Sequence, residues 1–301
     1  MTSLVFCIDG GGTRSRARLV APDGRSLASA LSGPCNPSTN PGRALASLSD
    51  LWAQCCRTLG RNPSDLDGVI LAIGAAGLYV PSARQAFLDT CPRFTRCVTL
   101  TDGYAALIGA GRGQPVAFII AGTGIAGHRL YQNGRSIQRD AWGWVAGDRG
   151  SGAWIGRAGV RHCFAALDGV VAADALSRAV LAAIGGPAAI EAGWLRDLTP
   201  DRLGALAPVV LDAAHAGVPA AVAIRDRAVA HLQALAGVLD SVEVPLYAAG
   251  GVADVLRPFL DAALGRPVLQ PEADALTGCW LVATGQAPDE RADFFGTEQS
   301  S

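Results

Sequence analysis

The 301-residue chain contains no lysine, so all 25 of its basic residues are arginine. That absence excludes the P-loop, whose lysine reaches the β- and γ-phosphates of a nucleotide. A nucleotide would have to be held here by glycine amides, arginine and a metal ion. An excess of charge of either sign is also missing. The 25 basic residues face 26 acidic ones, and a formal net charge of −1 gives no electrostatic case for nucleic acid or an anionic membrane as partner. Half of the residues are hydrophobic, yet every long apolar run is broken by charge, glycine or proline well short of the ~18 to 20 residues that span a bilayer, so no membrane segment is expected. The N-terminus has no basic stretch ahead of an apolar core, as a signal peptide would, and a cytoplasmic protein is expected. None of the eight cysteines forms a CxC or CxxC pair, which points to buried thiols in a reducing compartment rather than to a zinc site or an Fe–S cluster within one chain. His128, His162, His215 and His231 show no metal-binding spacing and are expected to be surface or helix residues.

What the chain does have is glycine at the ends of apolar strands. Residues Leu4 to Thr13 read LVFCIDGGGT, an apolar strand running into an aspartate, three glycines and a hydroxyl. Consecutive glycines let the backbone approach a ligand with no Cβ in the way, and their N–H groups can form an anion-binding nest with Asp9 placed to hold a cation; an ordinary hairpin turn would read the same. A second cluster, VAFIIAGTGIAG over residues 116 to 127, repeats the pattern. Both copies continue through a strand to a turn, Asp23-Gly24 and then Asn133-Gly134, each followed by Arg-Ser. The spacing predicts strand, glycine turn, strand, hairpin turn, strand twice over, an internal duplication. A third cluster, YAAGGVADV over Tyr247 to Val255, follows the apolar run Val242 to Leu246 read as a strand, and its Gly250-Gly251 pair marks a strand-to-helix turn.

Elsewhere strands and helices alternate. Asn40-Pro41 starts a helix expected to run to about Leu59, Val69 to Ile73 reads as a strand, Pro81 to Thr90 as a short helix, Cys97 to Thr101 as a strand and Asp102 to Gly111 as a helix. Residues 150 to about 240 read as mostly helical, and a last helix from Asp274 to Gly285 precedes a polar tail expected to fray. The alternation implies an α/β fold in two lobes, residues 1–113 and 114–301, with a helical insertion over about 150–240.

Two carboxylates stand out. Asp102 sits where a strand ends and a helix begins, a corner that suits catalysis and N-capping equally. Asp148 lies in the segment WGWVAGDRGSGAWIG, where tryptophans beside a carboxylate suit a sugar, although Trp154 opens a helical run and reads as core.

Taken in order, strand-DGGGT, TD before a helix, AGTG, WGWxxGDxGS and AGG resemble the N-acetylglucosamine kinase and glucosamine kinase branch of the actin-like ATPase superfamily, within the BadF/BadG/BcrA/BcrD type of ATPase. The resemblance covers almost the whole chain and implies a two-lobed actin-like fold of duplicated ribonuclease-H-like domains, the first lobe completed by the C-terminal helix. It implies ATP and Mg²⁺ as cofactors. Asp9, Gly10, Gly11, Gly12 and Thr13, with Arg14, match the first phosphate motif, Asp9 lying toward Mg²⁺; Gly122, Thr123 and Gly124 match the second, and Gly250 and Gly251 the adenosine motif. Asp102 matches the general base. Asn36, Trp142 and Asp148, with Thr123 and Gly77 close by, fall where the sugar is held, and the turn from Gly74 to Gly77 lines the cleft.

The implied reaction is direct phosphoryl transfer from ATP to the 6-hydroxyl of N-acetylglucosamine or glucosamine, with a homodimer as a possible assembly. Arg149 stands where related chains carry an acid, Ala141 where they carry glycine, and Trp144 is bulky. The reversed charge at Arg149 favours the neutral N-acetylglucosamine over the ammonium of glucosamine. Two other readings stay open: an ATPase activator of the benzoyl-CoA reductase or 2-hydroxyacyl-CoA dehydratase type, which holds an Fe–S cluster across a dimer and would draw on Cys35 or Cys163, and a non-catalytic sugar sensor.

Overall fold

The computed structural model describes residues 3–293. The chain divides into two compact units. The first takes the described residues up to Val116, Leu130–Ser136 and those from Pro271 onward; the second takes Ala117–Arg129 and Ile137–Gln270.

Unit 1 is built on a five-stranded sheet of β1 (Leu4–Gly10), β2 (Ser15–Val20), β3 (Ser26–Ser32), β4 (Val69–Ala75) and β5 (Arg96–Leu100), in the order β3-β2-β1-β4-β5. β1 pairs antiparallel with β2 and parallel with β4. Helix α1 (Pro41–Leu59) returns the chain from β3 to β4, capped by the Asn40 side chain on the Arg43 amide and closed by Gly60 in a left-handed conformation. Its buried face, Ala44, Leu48, Leu51, Trp52 and Cys55, covers one side of the sheet, where Phe6, Trp52 and Phe94 meet with ring centroids 5.1 to 6.1 Å apart. Helix α2 (Pro81–Thr90) precedes β5, and α3 (Asp102–Ala110) follows it.

The second sheet includes the run β8-β7-β6-β9, from β6 (Ala117–Ala121), β7 (Ile125–Leu130), β8 (Ser136–Asp140) and β9 (Leu246–Ala249). β6 pairs antiparallel with β7 and parallel with β9, as β1 does with β2 and β4. The expected duplication is present down to single hydrogen bonds. In one copy the Ala21 amide donates to the Arg25 carbonyl, the Gly24 amide to the Ala21 carbonyl and the Arg25 amide to the Asp23 side chain. In the other, Tyr131, Gly134, Arg135 and Asn133 make the same three bonds. The copies differ in length at the glycine turn, residues 11–14 against 122–124.

The helical stretch of unit 2 comprises α4 (Gly143–Ala146), α5 (Gly152–Leu167), α6 (Ala175–Ala183), α7 (Gly186–Glu191), α8 (Pro200–Gly204), α9 (Ala207–His215) and α10 (Pro219–Val238), with α11 (Gly251–Leu264) laid on β6 and β9. The last helix, α12 (Ala275–Ala283), returns to unit 1 and packs on α3, β1 and β4. That contact is backbone-close: a Cβ on Gly278 would collide with the Ala105 carbonyl, and one on Gly109 with the Asp274 carbonyl. Among the described residues no single helix is long and apolar enough to cross a membrane. One pair, Pro200–His215 with Pro219–Val238, meets the length and composition test together but bends by 115°.

Three local expectations change. The strand expected over Val242 to Leu246 starts only at Leu246, because Pro245 has no N–H for a ladder and uses its carbonyl to accept from Ala117 instead; residues 241–243 form a 3₁₀ turn. Trp154 is half-buried rather than core, its ring edge-on to His231 at 5.1 Å and its face under Arg227. His128 is neither a surface nor a helix residue. It lies inside β7 opposite Phe118, 4% exposed, with its Nε2 lacking a partner among the described residues.

Burial pulls the His128 imidazole down to about 4. The ring is therefore neutral in the fold. Its contribution is whole above the unfolded value near 6.5 and is lost as pH falls from there toward about 4, by up to roughly 3 kcal/mol. Urea midpoints measured across that window should fall for the native chain, and His128→Leu should flatten this part of the profile. An unchanged profile would contradict the assignment.

Candidate functional site

In unit 1, β1 delivers Asp9 and Gly10 to the start of the glycine turn. The Gly10 carbonyl accepts from the Ala76 amide at 2.9 Å, the Gly11 carbonyl accepts from Cys35 at 3.0 Å, and the Gly11 amide donates to Arg14 at 3.0 Å. Among the described residues the amides of Gly12 and Thr13 have no backbone acceptor, and both residues are exposed. The carbonyls are thus consumed inward while N–H groups stay free, the polarity an anion requires. A cavity of about 620 Å³ opens here, lined by Asp9, Gly11, Thr13, Arg14 and Arg16 among others.

The same hydrogen bonds bring Asn36 and Gly77 to this turn. Gly77, at φ +87°, packs so directly on Asn36 that a Cβ would meet the Asn36 Oδ1 and the Ser38 hydroxyl. Asn36 Oδ1 accepts from the Ser38 amide at 3.0 Å and its hydroxyl at 2.9 Å, so this oxygen is engaged within its own loop.

The ambiguity at Asp102 is resolved by its neighbour. Thr101 is the N-cap of α3, its hydroxyl oxygen accepting from the Tyr104 amide at 3.1 Å, and Asp102 is the first helical residue. Capping therefore does not account for the acid. Asp102 is open to solvent but ringed by protein; this desolvation raises its pKa, the Gly103 amide opposes the rise, and the negative charge of Asp9 adds to it. A carboxyl with a raised pKa is a better proton acceptor than an ordinary one. Asp9 itself is bound by Arg16, the residue opposite it on β2, at 2.8 Å.

In unit 2 the second glycine turn closes in the same way, the Gly122 amide donating to Gly124 at 2.9 Å. The first turn of α5 grips it from outside: Gly152 donates to the Gly122 carbonyl at 2.8 Å and Ala153 to the Thr123 carbonyl at 3.0 Å. Gly250, at φ +106°, lies under the end of β6 so closely that a Cβ would run into the Ala121 carbonyl, which only glycine tolerates. Gly251 begins α11 with open space in front of it. Gly122, Thr123, Gly250 and Gly251 are thus neighbours in one unit.

Asp148 joins them. One carboxylate oxygen accepts the Ile125 amide at 3.3 Å, and the carboxylate faces Gly124. Burial raises its pKa, the Ile125 amide lowers it, and the charge of Asp140 raises it further. Trp142 is 60% exposed, and its backbone lies against Gly147, the residue before Asp148.

Two acids escaped the sequence reading. Asp140, at the end of β8, accepts the Asp148 amide at 2.9 Å and holds the Arg149 guanidinium at 3.6 Å, with its side chain only 4% exposed. An acid ending a strand, as at Asp102, was the available signal. Glu290 lies in the polar stretch expected to fray. Instead its carboxylate, 7% exposed, accepts from the Thr101 hydroxyl at 2.6 Å and amide at 2.9 Å, and Tyr104 donates to the Pro288 carbonyl at 2.8 Å. No local pattern announces such a partner 189 residues away. The rest of that tail, from Phe294, lies outside the described residues.

Residues 7–259 match the BadF/BadG/BcrA/BcrD ATPase family. The chain is 26% identical to the glucosamine kinase GspK of Vibrio cholerae over 277 residues, 92% of this chain and 94% of that protein. It is 24% identical over 168 residues, 54% of each chain, to an N-acetylmuramic acid/N-acetylglucosamine kinase of Clostridium acetobutylicum. A crystal structure from Chromobacterium violaceum, whose proposed assignment is N-acetylglucosamine kinase, superposes with a TM-score of 0.85 at 33% identity, covering 94% of this chain and 99% of that one.

Ala141 occupies a left-handed conformation at φ +62°, next to Asp140 at +59°. A Cβ there costs about 1 to 2 kcal/mol. Ala141→Gly should therefore stabilise the chain by about 1 kcal/mol in urea titration, the gain being reduced by glycine's freedom in the unfolded chain. A loss of stability would show that the Ala141 methyl makes contacts that outweigh the strain.

Proposed function

We propose that this chain, which belongs to the BadF/BadG/BcrA/BcrD ATPase family, uses ATP to phosphorylate an amino sugar, N-acetylglucosamine or glucosamine, at its 6-hydroxyl. The observation that carries the reading is Asp102: an acid at the open first position of α3, released from capping by Thr101 and held at a raised pKa. Relatives that match nearly end to end bear the names glucosamine kinase and N-acetylglucosamine kinase, which supports the same substrate class.

In this mechanism Asp102 accepts the proton of the sugar hydroxyl as its oxygen attacks the γ-phosphorus. The free amides of Gly12 and Thr13 and the turn of Gly122, Thr123 and Gly124 neutralise phosphate oxygens, with Arg14 beside the first turn, while Gly250 and Gly251 give a flat backbone surface for the adenosine. Positioning and charge neutralisation carry most of the barrier reduction in such a transfer. The Asp9 carboxylate suits Mg²⁺, which binds through one or two carboxylates together with substrate phosphates: Asp9 opens on the cavity beside Thr13, and Arg16, which pairs with it here, is half exposed and has a second acid, Asp274, at 3.8 Å. When bound, the ion would offset the charge developing on the phosphates. Asn36, Gly77, Thr123, Trp142 and Asp148 serve the sugar, Asp148 accepting hydrogen bonds from its hydroxyls.

Arg149, held by Asp140, places a positive charge one residue from Asp148, which favours neutral N-acetylglucosamine over the glucosamine ammonium. The ATPase-activator reading is not favoured, because the cysteines it would draw on, Cys35 and Cys163, are both buried.

Coupled ADP release with ATP and Mg²⁺ should depend on added sugar, with N-acetylglucosamine ahead of glucosamine and both ahead of glucose. Asp102→Asn should lower turnover by ~10² to 10⁴-fold while nucleotide affinity holds. ADP release indifferent to every sugar would favour an activator, and an Asp102→Asn variant of full activity would remove the proposed base.

A further inference from the structure

We propose that Glu290 is a positioning residue: its buried carboxylate, brought in by the C-terminal segment, fixes Thr101 so that the adjoining side chain of Asp102 is presented from the first turn of α3. The inference rests on Asp102 being the base.

The geometry is specific. Glu290 Oε1 lies 2.6 Å from the Thr101 hydroxyl and Oε2 lies 2.9 Å from the Thr101 amide, so both atoms of one residue are clamped by both oxygens of another. An ionised carboxylate only accepts hydrogen bonds, so the hydroxyl must spend its single proton on Glu290 and turn a lone pair to the Tyr104 amide. The rotor of the cap is set by the acid. A second tie runs in parallel, from the Tyr104 hydroxyl to the Pro288 carbonyl at 2.8 Å, with the Asp289 carbonyl at 3.3 Å. Residues 288–290 therefore grip the chain on both sides of Asp102, one residue before it and two after.

A helix cap by itself does not require this. Thr101 already supplies the cap, worth about 1 kcal/mol, whereas burying a carboxylate carries a desolvation penalty. That penalty is visible in the raised pKa of Glu290, caused first by burial and opposed by Thr101 and Arg84, with the charge of Asp102 raising it further. Of the charged groups near it, Arg84 reaches Oε2 with its guanidinium at 3.4 Å and Asp102 adds a like charge. An acid buried beside another acid makes structural sense where the second one has to be held still. Geometry at a reacting centre is steep enough for this to matter, since a displacement of about 1 Å can cost ~10²-fold in rate.

Glu290→Ala should therefore lower kcat by about tenfold to a hundredfold, with KM for ATP and for sugar within about twofold. Glu290→Gln, which keeps one acceptor oxygen, should recover part of the loss. Amide hydrogen exchange over residues 101–105, read without substrate, should accelerate in Glu290→Ala. Unchanged kcat in a folded Glu290→Ala, a defect confined to KM for ATP, or unchanged exchange would each overturn the proposal. If Glu290→Ala does not fold, Glu290→Gln and Thr101→Val decide on the same readouts. Lack of sugar-dependent turnover in the unaltered protein would refute the kinase reading itself, an outcome separate from normal turnover that is merely insensitive to Glu290.

Discussion

The arrangement depends on where the backbone carbonyls at the strand ends go. At the close of β1, Ala76 and Cys35 take the carbonyls of Gly10 and Gly11; at the close of β6, Gly152 and Ala153 take those of Gly122 and Thr123. Buried carbonyls must find donors, and here the donors come from loops and a helix start that carry the remaining candidate residues. The hydrogen bonds that satisfy each turn also deliver Asn36 and Gly77 to the first and the α5 end of the Asp148 segment to the second. Glycine is required where those approaches become closest, under Ala121 at Gly250 and against Asn36 at Gly77.

On this backbone the acids fall into two kinds. Asp102 and Asp148 carry pKa values raised through desolvation, as Glu290 does; Asp102 is the proposed base and Asp148 is proposed to hold the sugar. Asp140 and Glu290 have side chains 4% and 7% exposed, and each accepts a backbone amide of, or next to, one of the first pair. Each unit thus pairs an acid proposed to meet a substrate with another that holds the backbone beside it. Such an arrangement suits a reaction in which the protein contributes position and charge rather than a covalent intermediate.

The first kind of acid was legible from sequence because it sits inside a local pattern, strand then acid then helix at Asp102 and tryptophans and glycines around the acid at Asp148. Glu290 was not, since it finds Thr101 across 189 residues and nothing near it distinguishes it from a solvated tail, whereas Asp140 ends a strand and could have been singled out. His128 shows the same limit: the lack of a metal-binding spacing says nothing of burial, and only the packed fold leaves Gly127, His128, Arg129 and Leu130 of β7 all buried. Pro245 could have been read correctly, since a missing N–H at a strand start is a local fact.

The sequence by itself determined the strand-and-turn periodicity, the duplicated meander and the glycine clusters, because these follow from alternation, turn chemistry and the absence of a Cβ, all local in the chain. It also determined that no lysine could serve a phosphate. Tertiary structure alone decided that Thr101 rather than Asp102 caps α3, that Asp140 and Glu290 are buried acceptors, and that Arg149 is held by Asp140. The cap is a bond over three residues whose choice of Thr101 shows only in the folded backbone, and the others depend on desolvation and on partners that meet only when the chain has packed.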